Sequence, residues 1–244
     1  MKRYGLIGKR LGHSLSQELF EAQGFKDACY GLYEMTSLDG LRQWVAAEGI
    51  CGFNVTIPYK QAILPLLDDV DDTAAEIGAV NCVSVKDGRL TGHNTDAPAF
   101  MATLRPLLPT LNTPHSALIL GTGGAAQAVA FALKQLEIEY LFVSRHPELH
   151  GNAIGYSQLP TANHPLPTLI INATPVGMYP DVDHSPLDFS LLTSHFSFLL
   201  VYDLIYNPSR TLLMREAEAL GARVKNGLDM LRRQAELSWR IWGL

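Results

Sequence analysis

The 244-residue sequence contains little cysteine, and its three cysteines lie far apart. Cys29, Cys51 and Cys82 form no CxxC pair, which excludes the common zinc-site spacings and gives no sign of a disulfide framework. The eight histidines are scattered, and the i,i+4 pair His146 and His150 encloses a proline, so we predict no metal site. This cysteine usage favours a reducing, cytoplasmic location.

Long hydrophobic runs and an excess of positive charge are also missing. No stretch approaches the ~20 apolar residues of a membrane span, and the first apolar run is too short for a signal peptide. Lys and Arg total 19 against 24 Asp and Glu, giving a net charge of −5. This balance disfavours nucleic acid and anionic membranes as partners. We expect a small-molecule substrate and a monomer or homodimer, and we interpret the acidic cluster at 68–76 as a solvated loop and helix start.

What the first hundred residues do contain is an alternation of short apolar strands with helices. Strands are predicted at 4–8, 31–35, 52–57, 80–86 and 90–93, and helices at 14–23, 38–48, 58–67 and 97–104. The Asp-Gly pair at 87–88 is typical of a hairpin turn. This order predicts an α/β layer with mostly parallel strand pairing.

A second α/β series follows a proline-rich segment, 105–115, which we interpret as a linker. Strands are predicted at 116–120, 140–144, 169–172 and 199–204, with a helix near 211–220 and an amphipathic helix at 228–242. Prolines at 147, 160, 165 and 167 predict that the crossover between the strands ending at 144 and starting at 169 is short and poorly helical. The sequence therefore predicts two α/β domains joined near residue 100.

The strongest single motif is LILGTGGAA, residues 118–126. Gly121, Gly123 and Ala126 fit G-x-G-x-x-[GA] between a predicted strand and helix. Glycines let a pyrophosphate approach the backbone, and the helix start offers free N–H groups and a positive dipole. A glycine-rich turn without a ligand is the alternative, but the flanking strand and helix favour a dinucleotide site.

The end of the next strand bears on the choice of cofactor. Sites for NAD usually place an acidic residue there to hold the ribose 2′-hydroxyl. Ser144 and Arg145 occupy this position, which better suits the 2′-phosphate of NADP. Glu148 follows closely and counts against this interpretation, and a solvated surface arginine explains Arg145 equally well.

A lysine stands in an unexpected place in GFNVTIPYK, residues 52–60. Phe53, Val55 and Ile57 alternate as in a half-buried strand, and Pro58 then suits a helix start. Lys60 would lie in the first helical turn, where the helix dipole disfavours a cation by ~0.3–1 kcal/mol. Its i+3 and i+4 neighbours are apolar and supply no partner.

The segment GHNTDAPAF, residues 92–100, offers a partner for that lysine. Asn94, Thr95 and Asp96 precede a predicted helix, and capping is the plainer explanation for them. Asp96 could nevertheless supply the carboxylate that Lys60 lacks locally. Together the two would form a pair suited to general acid/base catalysis.

Further hydroxyl and amide groups flank the apolar elements. Ser14 and Ser16 could hold a small anion, although helix capping explains one of them. Asn81 in GAVNCV could instead form an Asx turn before its strand. Collectively these groups indicate a pocket for a polyhydroxylated acid.

The chain resembles the shikimate dehydrogenase family over nearly its whole length. The matching stretches are GHSLSQ, GFNVTIPYK, GAVNCV, GHNTDA, GTGGAAQAV, INATPVGM, DLIYNPSRT and NGLDMLRRQA. The resemblance implies a substrate-binding domain of residues 1–97 plus a C-terminal helix 228–244, a Rossmann NADP-binding domain of residues 98–227, and a cleft between them. It also implies reversible hydride transfer between NADPH and the C3 carbonyl of 3-dehydroshikimate, a step of chorismate and aromatic amino acid biosynthesis.

The resemblance assigns roles to individual positions. It implies Lys60 and Asp96 as the catalytic pair. Substrate contacts are implied for Ser14, Ser16, Thr56, Lys60, Asn81, Asp96, Tyr206 and Gln234, with Asn54 close by. Cofactor contacts are implied for Asp72, Gly121, Thr122, Gly123, Gly124, Ala125, Ser144, Arg145 and Gly227. Without the resemblance, Tyr206 would be a core-edge tyrosine and Gln234 a solvated helix residue.

The chain departs from the family pattern at three places. Leu149 stands near the position of a second family arginine, so a preference for NADP rests on Arg145. Pro175 replaces a common serine near the cofactor, and the chain is short, with region 146–167 as the expected place of the shortening. Two alternatives stay open: a quinate/shikimate dehydrogenase that uses NAD as readily as NADP, and a catalytically silent cofactor- or metabolite-binding regulator.

Overall fold

The computed structural model describes residues 1–12, 14–111, 115–159, 167–188 and 199–244. The chain divides into two compact units, each built around a six-stranded sheet. The first unit consists of Met1–Ala99 and Leu231–Leu244, and the second of Phe100–Met230.

The sheet of the first unit is mostly parallel, as predicted. Its strands are β1 (Lys2–Gly8), β2 (Ala28–Glu34), β3 (Ile50–Val55), β4 (Asp69–Val70), β5 (Cys82–Lys86) and β6 (Arg89–His93). They lie in the order β2-β1-β3-β5-β6-β4, and β5 runs opposite to its neighbours β3 and β6. The predicted hairpin joins β5 to β6, with positive φ angles of 51° at Asp87 and 77° at Gly88.

Three helices of the first unit are shorter than predicted, namely α1 (Ser16–Glu21), α2 (Leu41–Glu48) and α3 (Tyr59–Ala62). They are followed by α4 (Asp72–Ile77), for which no bounds were predicted, and by α5 (Asp96–Leu104), which leads into the second unit. The prediction of one helix over 58–67 is wrong, because the chain leaves the α-helix after one turn and continues as a 3₁₀ turn, Leu64–Leu66. Pro65 has no N–H to continue the α-helical ladder.

The acidic cluster starts a helix, as expected. The carboxylate of Asp71 accepts the N–H of Ala74 at 2.7 Å and thereby caps α4. At α1, by contrast, the N-cap is Leu15, and among the described residues no side chain caps the helix. The hydroxyl of Ser14 instead accepts the N–H of Ser16 at 3.2 Å, so the serine closes a turn before the helix.

Apolar side chains cover both faces of this first sheet. Ile7, Phe53 and Ile63 are fully buried on one face. On the other face, Trp242 stacks on Tyr4 with 4.8 Å between ring centroids, and its indole N–H donates to the Val83 carbonyl at 3.0 Å. The last stretch of the described chain therefore supplies part of the core of the first unit.

The second unit has the strand order of a doubly wound dinucleotide-binding sheet. Its strands are β7 (Ser116–Leu120), β8 (Glu139–Ser144), β9 (Ala153–Gly155), β10 (Leu169–Asn172), β11 (Leu200–Asp203) and β12 (Arg223–Lys225). All are parallel in the order β12-β11-β10-β7-β8-β9, which is the Rossmann order 3-2-1-4-5-6 read from the other end. Helices α6 (Gly124–Gln135) and α7 (Leu212–Ala219) belong to this unit.

The connections of the second unit are irregular where prolines are frequent. The supposed linker contains a 3₁₀ helix, Arg105–Thr110, and Pro114 lies outside the described residues. The described part of the crossover from β8 to β10 contains β9 and the 3₁₀ turns Pro147–Leu149 and Tyr156–Gln158. Its prolines at 160 and 165 lie outside the described residues.

The division between the units falls inside two helices. One boundary lies between residues 99 and 100 of α5, and the other between residues 230 and 231 of α8 (Leu228–Ile241). Within the described ranges, no helix combines the length and apolar character that crossing a membrane requires.

Candidate active site

The segments that carry most of the predicted substrate residues of the first unit meet at one edge of its sheet. Because β1 and β3 are parallel, with Ile7 paired to Val55, the loops that follow them emerge at the same edge. β5 begins at this edge and β6 ends there, since Cys82 pairs with both Asn54 and His93. The segments that carry Ser14, Thr56, Lys60, Asn81 and Asp96 therefore all leave the sheet at this edge.

The Lys60 ammonium and the Asp96 carboxylate form a close, largely buried ion pair at this edge. The distance from Lys60 Nζ to Asp96 Oδ2 is 2.6 Å, and the side chains are 14% and 6% exposed. The partner proposed from the sequence is thus present, although it lies 36 residues away. A charge-assisted hydrogen bond of this length in a sheltered place suits proton transfer to a bound oxygen.

Backbone contacts hold both members of this pair in place. The Lys60 carbonyl accepts the N–H of Val80 at 2.7 Å, which ties the single turn of α3 to the segment before β5. At the start of α5, the Asn94 side chain accepts the N–H of Ala97 at 3.0 Å and donates to the Ala79 carbonyl at 2.8 Å. Capping is therefore the role of Asn94, and this leaves the Asp96 carboxylate to pair with Lys60.

A buried network of amides and hydroxyls lies beside the pair. The Asn81 side chain accepts the Thr95 N–H at 2.6 Å and donates to the Thr95 hydroxyl at 2.8 Å. Gln234 of α8 joins this network, its Oε1 lying 3.4 Å from both Asn81 Nδ2 and Thr95 Oγ1. Asn81 and Gln234 are thus brought together, next to the residue that precedes Asp96.

The buried Asn54 amide connects elements of the first unit and serves the fold. It receives a hydrogen bond from Tyr30 Oη at 2.9 Å and donates to Ser238 Oγ at 2.8 Å and to the Asn81 carbonyl at 3.1 Å. Asn54 is 6% exposed, and these contacts connect β3 to α8. The bond to the Asn81 carbonyl also holds the segment before β5 in place.

The two serines and Thr56 complete the first-unit set. Ser14 Oγ donates to Ser16 Oγ at 3.1 Å, so the two hydroxyls are adjacent as predicted for an anion-binding pair. A Cβ at Gly8 would lie 2.6 Å from Thr56 Cγ2, so glycine there lets the Thr56 side chain lie over the end of β1. Asp72, predicted to contact the cofactor, is the first residue of α4 and belongs to the first unit.

The carboxyl edge of the second sheet carries the glycine motif. Gly121 follows β7 with a φ of +97°, a conformation that favours glycine, and α6 begins at Gly124 without a side-chain cap. A Cβ at Gly123 would meet no atom within 4 Å. The free N–H groups of the first turn and this open space fit a pyrophosphate.

The loop after β8 lies beside this motif, since Leu120 and Val143 are paired in parallel strands. Ser144 is buried, and its hydroxyl accepts the N–H of His146 at 3.0 Å, whereas Arg145 is exposed. The Arg145 guanidinium is therefore exposed beside the glycine motif, and its contact with a 2′-phosphate stays a prediction.

Asn172 and Asp203, which end β10 and β11, form a buried polar cluster at the same edge. Asn172 Nδ2 donates to Asp203 Oδ1 at 3.0 Å, and both residues are fully buried. Burial raises the pKa of Asp203 to about 6, against the opposing effect of hydrogen bonds from Thr211, Ile205 and Asn172. Sequence reasoning assigned these residues no role, although a polar residue closing an apolar strand was a visible signal.

Tyr206 and Gly227 also belong to the second unit. Tyr206 is half-buried in the loop after β11, and Gly227 follows β12 and donates its N–H to the Ile205 carbonyl at 3.0 Å. Within the described ranges, no group of three or more His, Cys, Asp or Glu side chains is placed to hold a metal ion.

The sequence of this chain is similar to the sequences of known proteins. Residues 6–83 match the model of the shikimate dehydrogenase substrate binding domain. The curated shikimate dehydrogenase (NADP(+)) of Shouchella clausii is 38% identical over 258 aligned positions, covering 99% of this chain and 92% of the relative.

Solved structures give the same result. A crystal structure of shikimate dehydrogenase 1 from Peptoclostridium difficile has a TM-score of 0.87 at 34% identity, covering 100% of this chain and 92% of that one. The Thermus thermophilus shikimate 5-dehydrogenase, crystallised with NADP(H) and shikimate, has a TM-score of 0.84 at 35% identity, covering 100% and 94%.

Proposed function

This chain belongs to the shikimate dehydrogenase family, and from that premise we propose how its residues carry out the reaction. The protein is an NADP-dependent oxidoreductase that interconverts 3-dehydroshikimate and shikimate. This reaction belongs to aromatic amino acid biosynthesis. The observation that carries the proposed mechanism is the 2.6 Å contact between Lys60 Nζ and Asp96 Oδ2.

The Lys60–Asp96 pair is proposed to manage the proton at the C3 oxygen. When bound, NADPH supplies the hydride that reduces the C3 carbonyl. Lys60 hydrogen-bonds the oxygen and donates a proton as negative charge develops there, while Asp96 orients the ammonium. In the oxidative direction the pair accepts the proton of the C3 hydroxyl, so its two groups act as one coupled unit.

The other first-unit residues are proposed to hold the substrate. The adjacent hydroxyls of Ser14 and Ser16 suit a carboxylate, because both can donate hydrogen bonds to it. Thr56, Asn81 and Gln234 supply hydroxyl and amide groups for the ring hydroxyls. Tyr206 of the second unit is proposed as a further substrate contact.

The second unit is proposed to hold NADP. Residues 121–125 receive the pyrophosphate, Arg145 and Ser144 face the 2′-phosphate, and Gly227 lies near the nicotinamide. Support comes from the uncapped start of α6 and the open space at Gly123. A contact of Asp72 with the cofactor, a cleft between the domains, a cytoplasmic location and a monomeric or homodimeric state stay predictions.

A spectrophotometric assay of NADPH formation from shikimate tests the function directly. We expect turnover with shikimate and NADP, and a lower kcat/KM when quinate replaces shikimate or NAD replaces NADP. Equal kcat/KM values with NAD and NADP would favour the dual-cofactor alternative. No turnover, with NADP still bound, would favour a silent regulator.

The variant Lys60→Met tests the mechanism in the same assay. Removal of the ammonium should lower kcat by ~10²–10⁴-fold and leave the Kd for NADP unchanged. Lys86→Met is the matched control, because Lys86 is exposed at the opposite end of β5 in the same unit. Near-wild-type turnover of Lys60→Met would remove Lys60 from the mechanism.

A further inference from the structure

Asp203 is a fully buried carboxylate in the second unit that the mechanism above does not use. In the part of the chain that the structure describes, its hydrogen bonds come from uncharged donors. Thr211 Oγ1 donates to Oδ2 at 2.7 Å, and the Ile205 N–H and Asn172 Nδ2 donate to Oδ1, each at 3.0 Å. A carboxylate is costly to bury without a cation, so its presence calls for a reason beyond packing.

The three donors belong to three different segments of the chain. Asn172 ends β10, Ile205 lies in the loop after β11, and Thr211 is the N-cap of α7, where its hydroxyl also accepts the N–H of Met214 at 3.3 Å. One carboxylate therefore fixes the relative positions of a strand end, a loop and a helix start. All three lie at the carboxyl edge of the second sheet.

The connection continues from Asn172 into the loop after β10. Asn172 Oδ1 accepts from the hydroxyl of Thr174 at 2.7 Å and from its N–H at 3.0 Å, and Thr174 Oγ1 accepts the N–H of Val176 at 3.2 Å. Thr174 in turn packs against the glycine motif. A Cβ at Gly121 would lie 2.9 Å from Thr174 Cγ2, so the two loops are in close contact.

We propose that Asp203 is a positioning residue for the NADP site, acting through Asn172 to hold Thr174 against the Gly121 loop. The inference rests on the proposed function, because it takes the Gly121 loop as the pyrophosphate site. Asp203 acts as a hydrogen-bond acceptor and contacts neither cofactor nor substrate. Its effect should therefore fall on cofactor affinity and much less on the chemical step.

Two substitutions at Asp203 separate an acceptor role from a charge role. In Asp203→Asn, the amide oxygen can keep the bonds from Asn172 and Ile205, and its NH₂ group can donate to the Thr211 hydroxyl. In Asp203→Ala all three bonds are lost. We expect Asp203→Ala to raise the Kd for NADP by about tenfold or more, and Asp203→Asn to restore it to near the wild-type value.

Thr174→Val tests the same connection without disturbing the core. Thr174 is only half-buried, and valine keeps the methyl group beside Gly121 while removing the hydroxyl. We expect a rise of roughly three- to tenfold in the Kd and KM for NADP, with kcat and the KM for shikimate near the wild-type values. Glu139→Gln is the matched control, because Glu139 is exposed at the opposite end of β8.

Calorimetric titration with NADP alone keeps this inference distinct from the proposed function. A wild-type protein that binds NADP but does not oxidise shikimate would refute the proposed function, and the variants could still be compared by their Kd values. Wild-type Kd values in folded Asp203→Ala and in Thr174→Val would overturn the inference while leaving the function intact. If Asp203→Ala does not fold, Thr174→Val decides the question alone, and a wild-type protein without NADP affinity would overturn both proposals.

Discussion

Each unit of this protein buries an aspartate at the loop-bearing edge of its sheet, and the two carboxylates are compensated differently. The Asp96 side chain is 6% exposed and lies 2.6 Å from the Lys60 ammonium. Asp203 is fully buried and receives hydrogen bonds from an amide, a backbone N–H and a hydroxyl. The first is a charge pair, and the second is an anion held by neutral dipoles.

Because the two aspartates have different partners, we infer a chemical role for Asp96 and a structural role for Asp203. An ammonium carries a proton that it can exchange with a bound oxygen, so the Lys60–Asp96 pair suits acid/base chemistry. Amide and hydroxyl donors fix directions but do not release protons near neutral pH. Because Asp203 is buried among such donors, we predict that it organises loops. We therefore expect substitution of the aspartate to have a different effect in each unit.

The largest expected contrast comes from making the same substitution in both units. Asp96→Asn should lower kcat by ~10²-fold or more, because an amide can neither balance the Lys60 charge nor share its proton. Asp203→Asn should leave kcat nearly unchanged, because the amide preserves the acceptor geometry. Steady-state kinetics at saturating shikimate and NADP measure both values. Comparable losses of kcat in the two variants would contradict the assignment of different roles to the two carboxylates.

An effect of similar size is expected on the pH dependence of stability. Desolvation raises the pKa of Asp203 from an ordinary 3.8 to about 6, against the effect of its hydrogen bonds, so the folded state binds this proton more tightly than the unfolded state. The stabilisation of the folded state by this proton is complete below about pH 4 and is lost as the pH rises through about 6. The total is about 3 kcal/mol.

Asp203→Asn isolates this contribution because asparagine does not titrate. The free energy of unfolding of the wild type, relative to Asp203→Asn, should therefore decrease between about pH 4 and pH 7. Urea unfolding of both proteins across this range measures the difference, with Glu139→Gln as the control. A difference independent of pH would show that Asp203 titrates alike in the folded and unfolded chains.

The smallest expected effect concerns the recognition of the 2′-phosphate by Arg145 in the second unit. Arg145→Ala should lower kcat/KM for NADP by about tenfold, the loss of one charge-assisted contact, and should leave kcat/KM for NAD unchanged. Arg215→Ala provides a control, since Arg215 is an exposed arginine on α7 of the same unit. Equal losses with both cofactors would mean that Arg145 does not read the 2′-phosphate.

Local sequence patterns were sufficient to predict much of the fold. The apolar run of β7 followed by glycines predicted the strand, turn and helix of the dinucleotide motif, and Asp87–Gly88 predicted the hairpin between β5 and β6. The strands β4, β9 and β12 were missed because each has only two or three residues. Such short edge strands are defined by pairing with distant segments, and periodicity cannot reveal them.

The candidate site was predictable where one residue lacked a local explanation. Lys60 had no neighbour to balance its charge, and that mismatch led to Asp96. Asp203 gave only the weaker signal of a polar residue at the end of an apolar strand, because its described donors are neutral and the two side-chain donors lie 31 positions before it and 8 after it. The observed α3 is shorter than its apolar pattern predicts, because Pro65 has no N–H to continue the α-helical hydrogen bonds.

The contribution of α8 to the first unit constrains the order in which the protein can be completed during synthesis. Tyr4, Phe20 and Tyr30 are buried against Trp239 and Trp242, which a ribosome adds only after the entire second unit has been made. Domains usually fold in the order of their synthesis. Here the first unit to emerge must wait for α8 to close its aromatic layer, so the nascent chain exposes these rings until translation reaches α8.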